Sequence, residues 1–320
     1  MTAAARAAVL TGPRTARLET IVRPEPAPGE VCVRLEGSGV CGSSLPLWEG
    51  RPWFEYPCAP GSPGHEGWGR IAAVGNGVSA WSPGDRVALL SERAFAEYDV
   101  APADALVRIP PSLDGQPVPG EALACAVNVF RRGQIVSGSS VAVVGIGFLG
   151  ALVAQLAARA GAQVIAISRR GFARDVAAAG GAVETLDGSD RAAAVARVHA
   201  LTRGGADCVV EATGLQEPLD LAAELVRVRG RLIIAGYHQD GPRQVNMQLW
   251  NWRGLDVINA HERDRRVYRS GMQAAIDAIT AGALDPRPLY THQVPLDELP
   301  RAMELLRLRP DGFLKAMVAA

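Results

Sequence analysis

The sequence predicts an α/β protein in which a compact β-rich domain accompanies a doubly wound parallel sheet, and three observations predict it. The β-branched run Val141-Ala142-Val143-Val144 leads straight into Gly145-Ile146-Gly147-Phe148-Leu149-Gly150 and then into an alanine-rich stretch. From Ser139 to about Ile258 strand and helix patterns alternate, as βαβ units around a parallel sheet require. Ahead of them, from Ala7 to Val107, Gly and Pro punctuate short alternating segments of the β kind.

Taken in order, Val31–Leu35 and Gly69–Gly75 read as strands, the turn Ser82-Pro83-Gly84-Asp85 leads into another at Arg86-Val87, and Phe95–Val100 is a further candidate. Pro110–Pro119 is a loop and Glu121–Arg131 a helix. In the glycine turn, Gly145 permits the tight bend, Gly147 admits a pyrophosphate close to backbone, and Gly150 lets the next helix press on the strand. That helix, Ala151–Ala160, stops at Gly161, and Gln163–Ile167 is a second buried strand. Asp207–Glu211, Arg231–Gly236 and Leu255–Ile258 follow as strands, Met272–Ala281 and Leu299–Leu308 as helices, and Phe313–Val318 as a closing strand.

The second strand of the repeat ends at Ser168-Arg169-Arg170, about 20 residues past the glycines, where an NAD site places a carboxylate on the ribose 2′-hydroxyl. A small hydroxyl followed by two planar, permanently charged guanidinium groups suits a 2′-phosphate instead, so NADP(H) is expected over NAD(H).

With 320 residues, 48% of them hydrophobic, the chain is long enough for two domains with real cores. Its 33 basic and 33 acidic residues cancel, so neither a nucleic acid nor a membrane is implied as a partner, and a cytoplasmic location is expected. The five cysteines are odd in number and scattered, which points to reduced thiols or a metal ligand.

Three groups carry candidate chemistry: Gly39-Val40-Cys41-Gly42-Ser43, Pro63-Gly64-His65-Glu66-Gly67 and Gly120-Glu121-Ala122-Leu123-Ala124-Cys125. Thiolate, imidazole and carboxylate together are a zinc ligand set, and a catalytic zinc uses three protein ligands and keeps one position open. On residue type alone, Cys41 also suits a buried small hydrophobe and His65 a hydrogen-bonded loop residue.

In this order the motifs resemble the medium-chain dehydrogenase/reductase superfamily, in its zinc-dependent alcohol and polyol (sorbitol/threonine dehydrogenase-like) branch. The resemblance runs over nearly the whole chain: G-V-C-G-S at 39–43, G-H-E at 64–66, G-D-R-V at 84–87, E-A-L at 121–123, the glycine turn, E-A-T-G at 211–214 and W-R-G at 252–254. It implies a GroES-like catalytic domain over 1–121, continued by 259–320, with a Rossmann NADP-binding domain over 122–258 inserted between, and the substrate and zinc in the cleft between domains. It implies Cys41, His65 and Glu66 as zinc ligands, with Glu121 as a further ligand or water-holder and Cys125 the alternative. It implies Ser43 as the hydroxyl that bonds the substrate oxygen and passes its proton towards solvent. Gly145, Gly147, Phe148, Leu149, Gly150, Ser168, Arg169 and Arg170 would hold the nucleotide, and Ala212, Thr213, Gly214, Ala235, Gly236 and Ile258 the nicotinamide.

There are departures. Ser44 stands where the family carries an aspartate behind the metal, Pro46 where many members carry a relay histidine, and Leu47 replaces a polar or aromatic residue, which argues against an open-chain polyol. The lobe with four cysteines that follows G-D-R-V in many members is missing, so no structural zinc is expected. Trp250 and Trp252 are expected in a core or a subunit interface, and His261 either at the substrate or in a structural role. The expected activity is interconversion of a secondary alcohol (a cyclic polyol, sugar or aminocyclitol) and a ketone with NADP(H) and one catalytic zinc, in a homodimer or homotetramer. The alternatives are a zinc-free NADPH-dependent quinone or enone reductase and a non-catalytic nucleotide-binding protein.

Overall fold

In the computed structural model, which describes residues 3–320, the chain divides into two units: residues up to Ala124 with Asp264–Thr280 and Tyr290–Ala320, and Cys125–Arg263 with Ala281–Leu289. The strands are β1 (Ala4–Gly12), β2 (Thr15–Val22), β3 (Glu30–Gly39), β4 (Glu66–Val74), β5 (Arg86–Leu89), β6 (Tyr98–Pro102) and β7 (Leu106–Arg108), then β8 (Ser140–Val144), β9 (Gln163–Ile167), β10 (Glu184–Leu186), β11 (Ala206–Glu211), β12 (Val226–Ile234) and β13 (Asp256–Asn259), and finally β14 (His292–Pro295) and β15 (Ala316–Ala319).

In the first unit β1 and β2 form an antiparallel hairpin, and a seven-stranded sheet runs β14-β15-β3-β4-β5-β7 with β6 on β3. β3 is flanked along its length by β4 on one side and by β6 and then β15 on the other, so most of its residues are buried and its alternation is muted. One core gathers Leu10, Trp48, Phe95, Leu299 and Phe313, and another Val33, Ile71, Val87, Leu89 and Leu106.

The second unit is a six-stranded parallel sheet in the order β10-β9-β8-β11-β12-β13, the doubly wound Rossmann arrangement. The register sets Val144, Ile167, Glu211, Ile234 and Asn259 in one row at the carboxyl ends of five neighbouring strands. Gly145 has φ +99°, and a Cβ on Gly150 would sit 2.0 Å from the Gly145 carbonyl oxygen, so neither position tolerates a side chain without rearrangement.

Several boundaries differ from the sequence expectation. The strand expected at Phe95–Val100 lies at Tyr98–Pro102, because Phe95 is drawn into the core and its backbone bonds Gly61 and Ala8. β12 starts at Val226, interrupted by an irregular stretch with Arg229 at φ +57°, and β15 starts at Ala316. The helix expected from Met272 spans Arg265–Thr280; its first turns are rich in arginine, and only the half-buried pair Val267-Tyr268 extends the buried stripe of Gly271, Met272, Ala275 and Ile276 into them. Within 259–320, residues 281–289 sort with the second unit, where the Gln155 amide donates to the Asp285 carbonyl (3.0 Å) and accepts the Asp285 N–H (3.1 Å). Trp250 packs against the second-unit core, whereas Trp252 is 87% exposed on the helix Met247–Arg253 and does not join it. No helix among the described residues is long and apolar enough to cross a membrane.

Candidate active site

In the first unit the chain folds so that Cys41, His65 and Glu66 converge. Cys41 follows the end of β3 in extended conformation and opens a short 3-10 turn over Gly42–Ser44; His65 precedes β4, and Glu66 begins it, in register with Gly39. A Cβ on Gly39 would lie 1.8 Å from Glu66 Oε2, so the glycine makes the room the carboxylate occupies. One ligand atom from each of Cys41, His65 and Glu66 lies within 4.8 Å of the other two, and among the described residues this is the one such group of His, Cys, Asp or Glu.

The His65 ring is oriented by the Pro63 carbonyl oxygen, 2.8 Å from Nδ1, which leaves Nε2 facing the Ser43 hydroxyl at 3.4 Å. Burial disfavours a charge on His65, but Cys41, Glu121 and Glu66 outweigh it and raise its pKa to about 10. The pocket therefore favours a cation at its centre. A thiol, an imidazole with one nitrogen pinned by a carbonyl, and a carboxylate fit a catalytic zinc in donor chemistry and in number.

Glu66 is 1% exposed, and Lys315 Nζ lies 2.7 Å from Oε1 and 2.5 Å from Oε2, a buried ion pair. Glu121, in the first turn of the helix Gly120–Gly133, acts on His65 through its charge but stands outside the three-residue group; Cys125 lies past the unit boundary at Ala124. Ser44 is buried, and its hydroxyl has no hydrogen-bond partner among the described residues. Leu47 is 7% exposed and packs in the core, so its apolar character reflects packing and supplies no argument about the substrate.

In the second unit the expected nucleotide residues gather at the carboxyl ends of the parallel strands, the end at which ligands bind open α/β sheets. Gly145, Ser168, Ala212 and Ala235 each follow directly on the row set by the strand register, and Phe148, Leu149 and Gly150 form the first turn of the helix Phe148–Arg159. Ile258 pairs with Ile233, one rung inside the row; Ala260 is the residue in line with Ala235.

Ser168 is nearly buried, its hydroxyl accepts the Arg170 N–H (3.3 Å), and Arg170 Nη2 donates to the Ile146 carbonyl (3.0 Å). Arg169 is exposed beside them. Arg174, one turn into the helix Gly171–Ala179, donates to the Ser168 carbonyl (2.7 Å) and is a third guanidinium at this corner that the motifs did not mark. His261 stacks on Tyr237 (centroids 5.4 Å apart, planes 7° apart), and burial with nearby Arg263 lowers its pKa.

Comparison with known proteins finds two family profiles along the chain. The family profile "Alcohol dehydrogenase GroES-like domain" matches residues 27–111 and "Zinc-binding dehydrogenase" matches 149–280. The chain is 29% identical to erythritol/L-threitol dehydrogenase of Mycolicibacterium smegmatis, over 98% of either chain, and 26% identical to sorbitol dehydrogenase of Ovis aries, over 97% of this chain and 95% of that one. A crystal structure described as a zinc-binding dehydrogenase of Sinorhizobium meliloti 1021 bound to NADP superposes with a TM-score of 0.85 at 26% identity, covering 99% of this chain and 100% of that one.

Proposed function

The chain belongs to the zinc-dependent alcohol and polyol dehydrogenase branch of the medium-chain dehydrogenase/reductase superfamily, and from that premise we propose that it interconverts a secondary alcohol and a ketone with NADP(H). The observation that carries this reading is the convergence of Cys41, His65 and Glu66 beside the Ser43 hydroxyl. Those three residues would hold one zinc, with Glu121 holding a water or standing in as a ligand. Zinc, when bound, supplies Lewis acidity that polarises a substrate oxygen.

The remaining work falls to the chain. In oxidation Ser43 accepts the hydroxyl proton of the alcohol while releasing its own towards solvent, and in reduction both transfers reverse, as a positioned donor-acceptor can. NADP(H), when bound, would supply hydride chemistry at the carbinol carbon, and we assign Ala212–Gly214, Ala235-Gly236 and Ile258 to hold its nicotinamide ring. Helix N–H groups behind Gly145–Gly150 would hold the pyrophosphate, and Ser168, Arg169, Arg170 and Arg174 would hold the 2′-phosphate. Two of its relatives are named for open-chain polyols, which supports a polyhydroxy alcohol as substrate; the narrower choice of a cyclic polyol, sugar or aminocyclitol is proposed with it. A homodimer or homotetramer in the cytoplasm is proposed with it, on family grounds.

A second reading, a zinc-free NADPH-dependent reductase of quinone or enone type, draws on the Glu66–Lys315 pair, which already balances the charge of one of the three donors. One experiment separates the two. Elemental analysis of protein purified without added metal is expected to give about one zinc per chain for the wild type and none for Cys41→Ser. NADPH, and not NADH, is expected to support reduction of cyclic ketones by the wild type alone. A zinc-free wild type that still reduces enones would overturn the first reading in favour of the second.

A further inference from the structure

A fully buried carboxylate stands at the carboxyl end of β11, and the glycine and metal motifs give it no role. Glu211 is 0% exposed. Its Oε1 accepts the Thr213 N–H (2.6 Å), the Gly214 N–H (3.0 Å) and the Thr213 hydroxyl, which closes the turn after β11 on itself. Its backbone carbonyl accepts the N–H groups of Ala235 and Gly236, both at 2.8 Å, which ties in the turn after β12. The two turns approach so closely that a Cβ on Gly236 would lie 2.1 Å from the Gly214 nitrogen.

The fourth bond to this carboxylate comes from His238. Arg243 Nε donates to His238 Nδ1 (2.8 Å), and since arginine offers no acceptor, the ring proton sits on Nε2 and is donated to Glu211 Oε2 (3.0 Å). Arg243 Nη2 then reaches the Gly214 carbonyl (2.7 Å), and Arg243 is also paired with Asp240. The bonds make a closed ring, Glu211 to Gly214 to Arg243 to His238 and back, across two turns that follow neighbouring parallel strands. A merely buried glutamate would have been satisfied by the first turn's donors; the imidazole adds a rigid spacer that fixes how far apart the two turns stand.

We propose that His238, held in one tautomer by Arg243, is a positioning residue for the nicotinamide half of the cofactor: it sets the spacing of the backbone segments Thr213-Gly214 and Ala235-Gly236 between which that ring is received. The proposal rests on the assignment of those segments to the nicotinamide made above. The adenine and 2′-phosphate end, at Ser168 and its arginines, follows β9 and does not share the ring of bonds.

That separation gives the test. Dissociation constants would be measured for NADPH, by its nicotinamide fluorescence, and for 2′-monophosphoadenosine 5′-diphosphoribose, which is the cofactor without its nicotinamide. His238→Ala is expected to weaken NADPH about tenfold or more, since it strips one bond from a buried carboxylate and frees the turns, while leaving the fragment unchanged. His238→Gln, whose amide donates one way and accepts the other, is expected to restore most of the loss. Arg243→Ala, which leaves the Glu211–His238 bond in place, is expected to show the same selective weakening and serves if His238→Ala does not fold.

Equal weakening of NADPH and the fragment, unchanged NADPH binding in Arg243→Ala, or a glutamine variant as weak as the alanine one would each overturn the proposal. Wild-type protein that binds neither probe would instead sink the cofactor assignment itself, and the proposal with it.

Discussion

The Ser43 hydroxyl acts in the proposed chemistry through one oxygen held 3.4 Å from His65 Nε2. Ser43→Ala is therefore expected to lower kcat by about 10²–10⁴, the range for a positioned proton-transfer group, with little change in KM for the cofactor. Steady-state kinetics with NADPH and a cyclic ketone would check it, and an alanine variant with full kcat would remove Ser43 from the mechanism. At this scale the sequence was most legible where one residue type in a short motif carries the chemistry. Cys41, His65 and Glu66 stand in such motifs. Lys315 does not: it is an isolated lysine whose partner is 249 residues away, and no spacing marks it. Arg174 escaped because it lies on a helix whose own pattern reads only as alanine-rich, and His238 because its two bonds join different turns.

Among the elements, the helix Leu299–Leu308 is fastened by a single carboxylate. Glu304 accepts both Arg14 (2.9 Å twice), at the turn between β1 and β2, and the Trp48 indole N–H (2.8 Å), with Arg307 of its own helix alongside. Arg307, then Arg14, hold its carboxyl down at about 2, against an ordinary value of 4.5. A carboxyl depressed on folding adds stability that is fully present above the unfolded pKa and is lost as pH falls from about 4.5 towards 2. Glu304→Gln is expected to cost about 1–2 kcal/mol at pH 7, and the difference from wild type should shrink between those limits. Urea unfolding at a series of pH values would show it; a gap independent of pH would mean that Glu304 acts by packing.

The element reading was sound where the signal is local, as in the run from β8 through the glycine turn to the next helix. It slipped where tertiary packing overrides pattern. Phe95 looked like a strand residue because it is apolar and alternates, yet it serves the core and leaves the strand to begin at Tyr98. The hairpin of β1 and β2 was read only as part of a β-rich region, since its outer strand lacks a buried face.

For the molecule as a whole, the first unit is assembled from three separate stretches of chain, and the Glu66–Lys315 pair is the buried charge contact that joins two of them. Lys315→Met strands a buried carboxylate, and in metal-free protein it is expected to cost about 3–5 kcal/mol, while the double variant Lys315→Met with Glu66→Gln should recover much of it. Chemical denaturation of the four proteins of this cycle would measure the coupling. Additive losses would show that the two charges do not depend on each other.

The same pair has a consequence for the order of events on the ribosome. Glu66 is translated 249 residues ahead of its lysine, and the whole of the parallel-sheet unit is made in between. For that interval the nascent carboxylate beside Cys41 and His65 has no ammonium to answer it. A metal cation that reached those donors during synthesis would meet them before the chain delivers its own counter-charge.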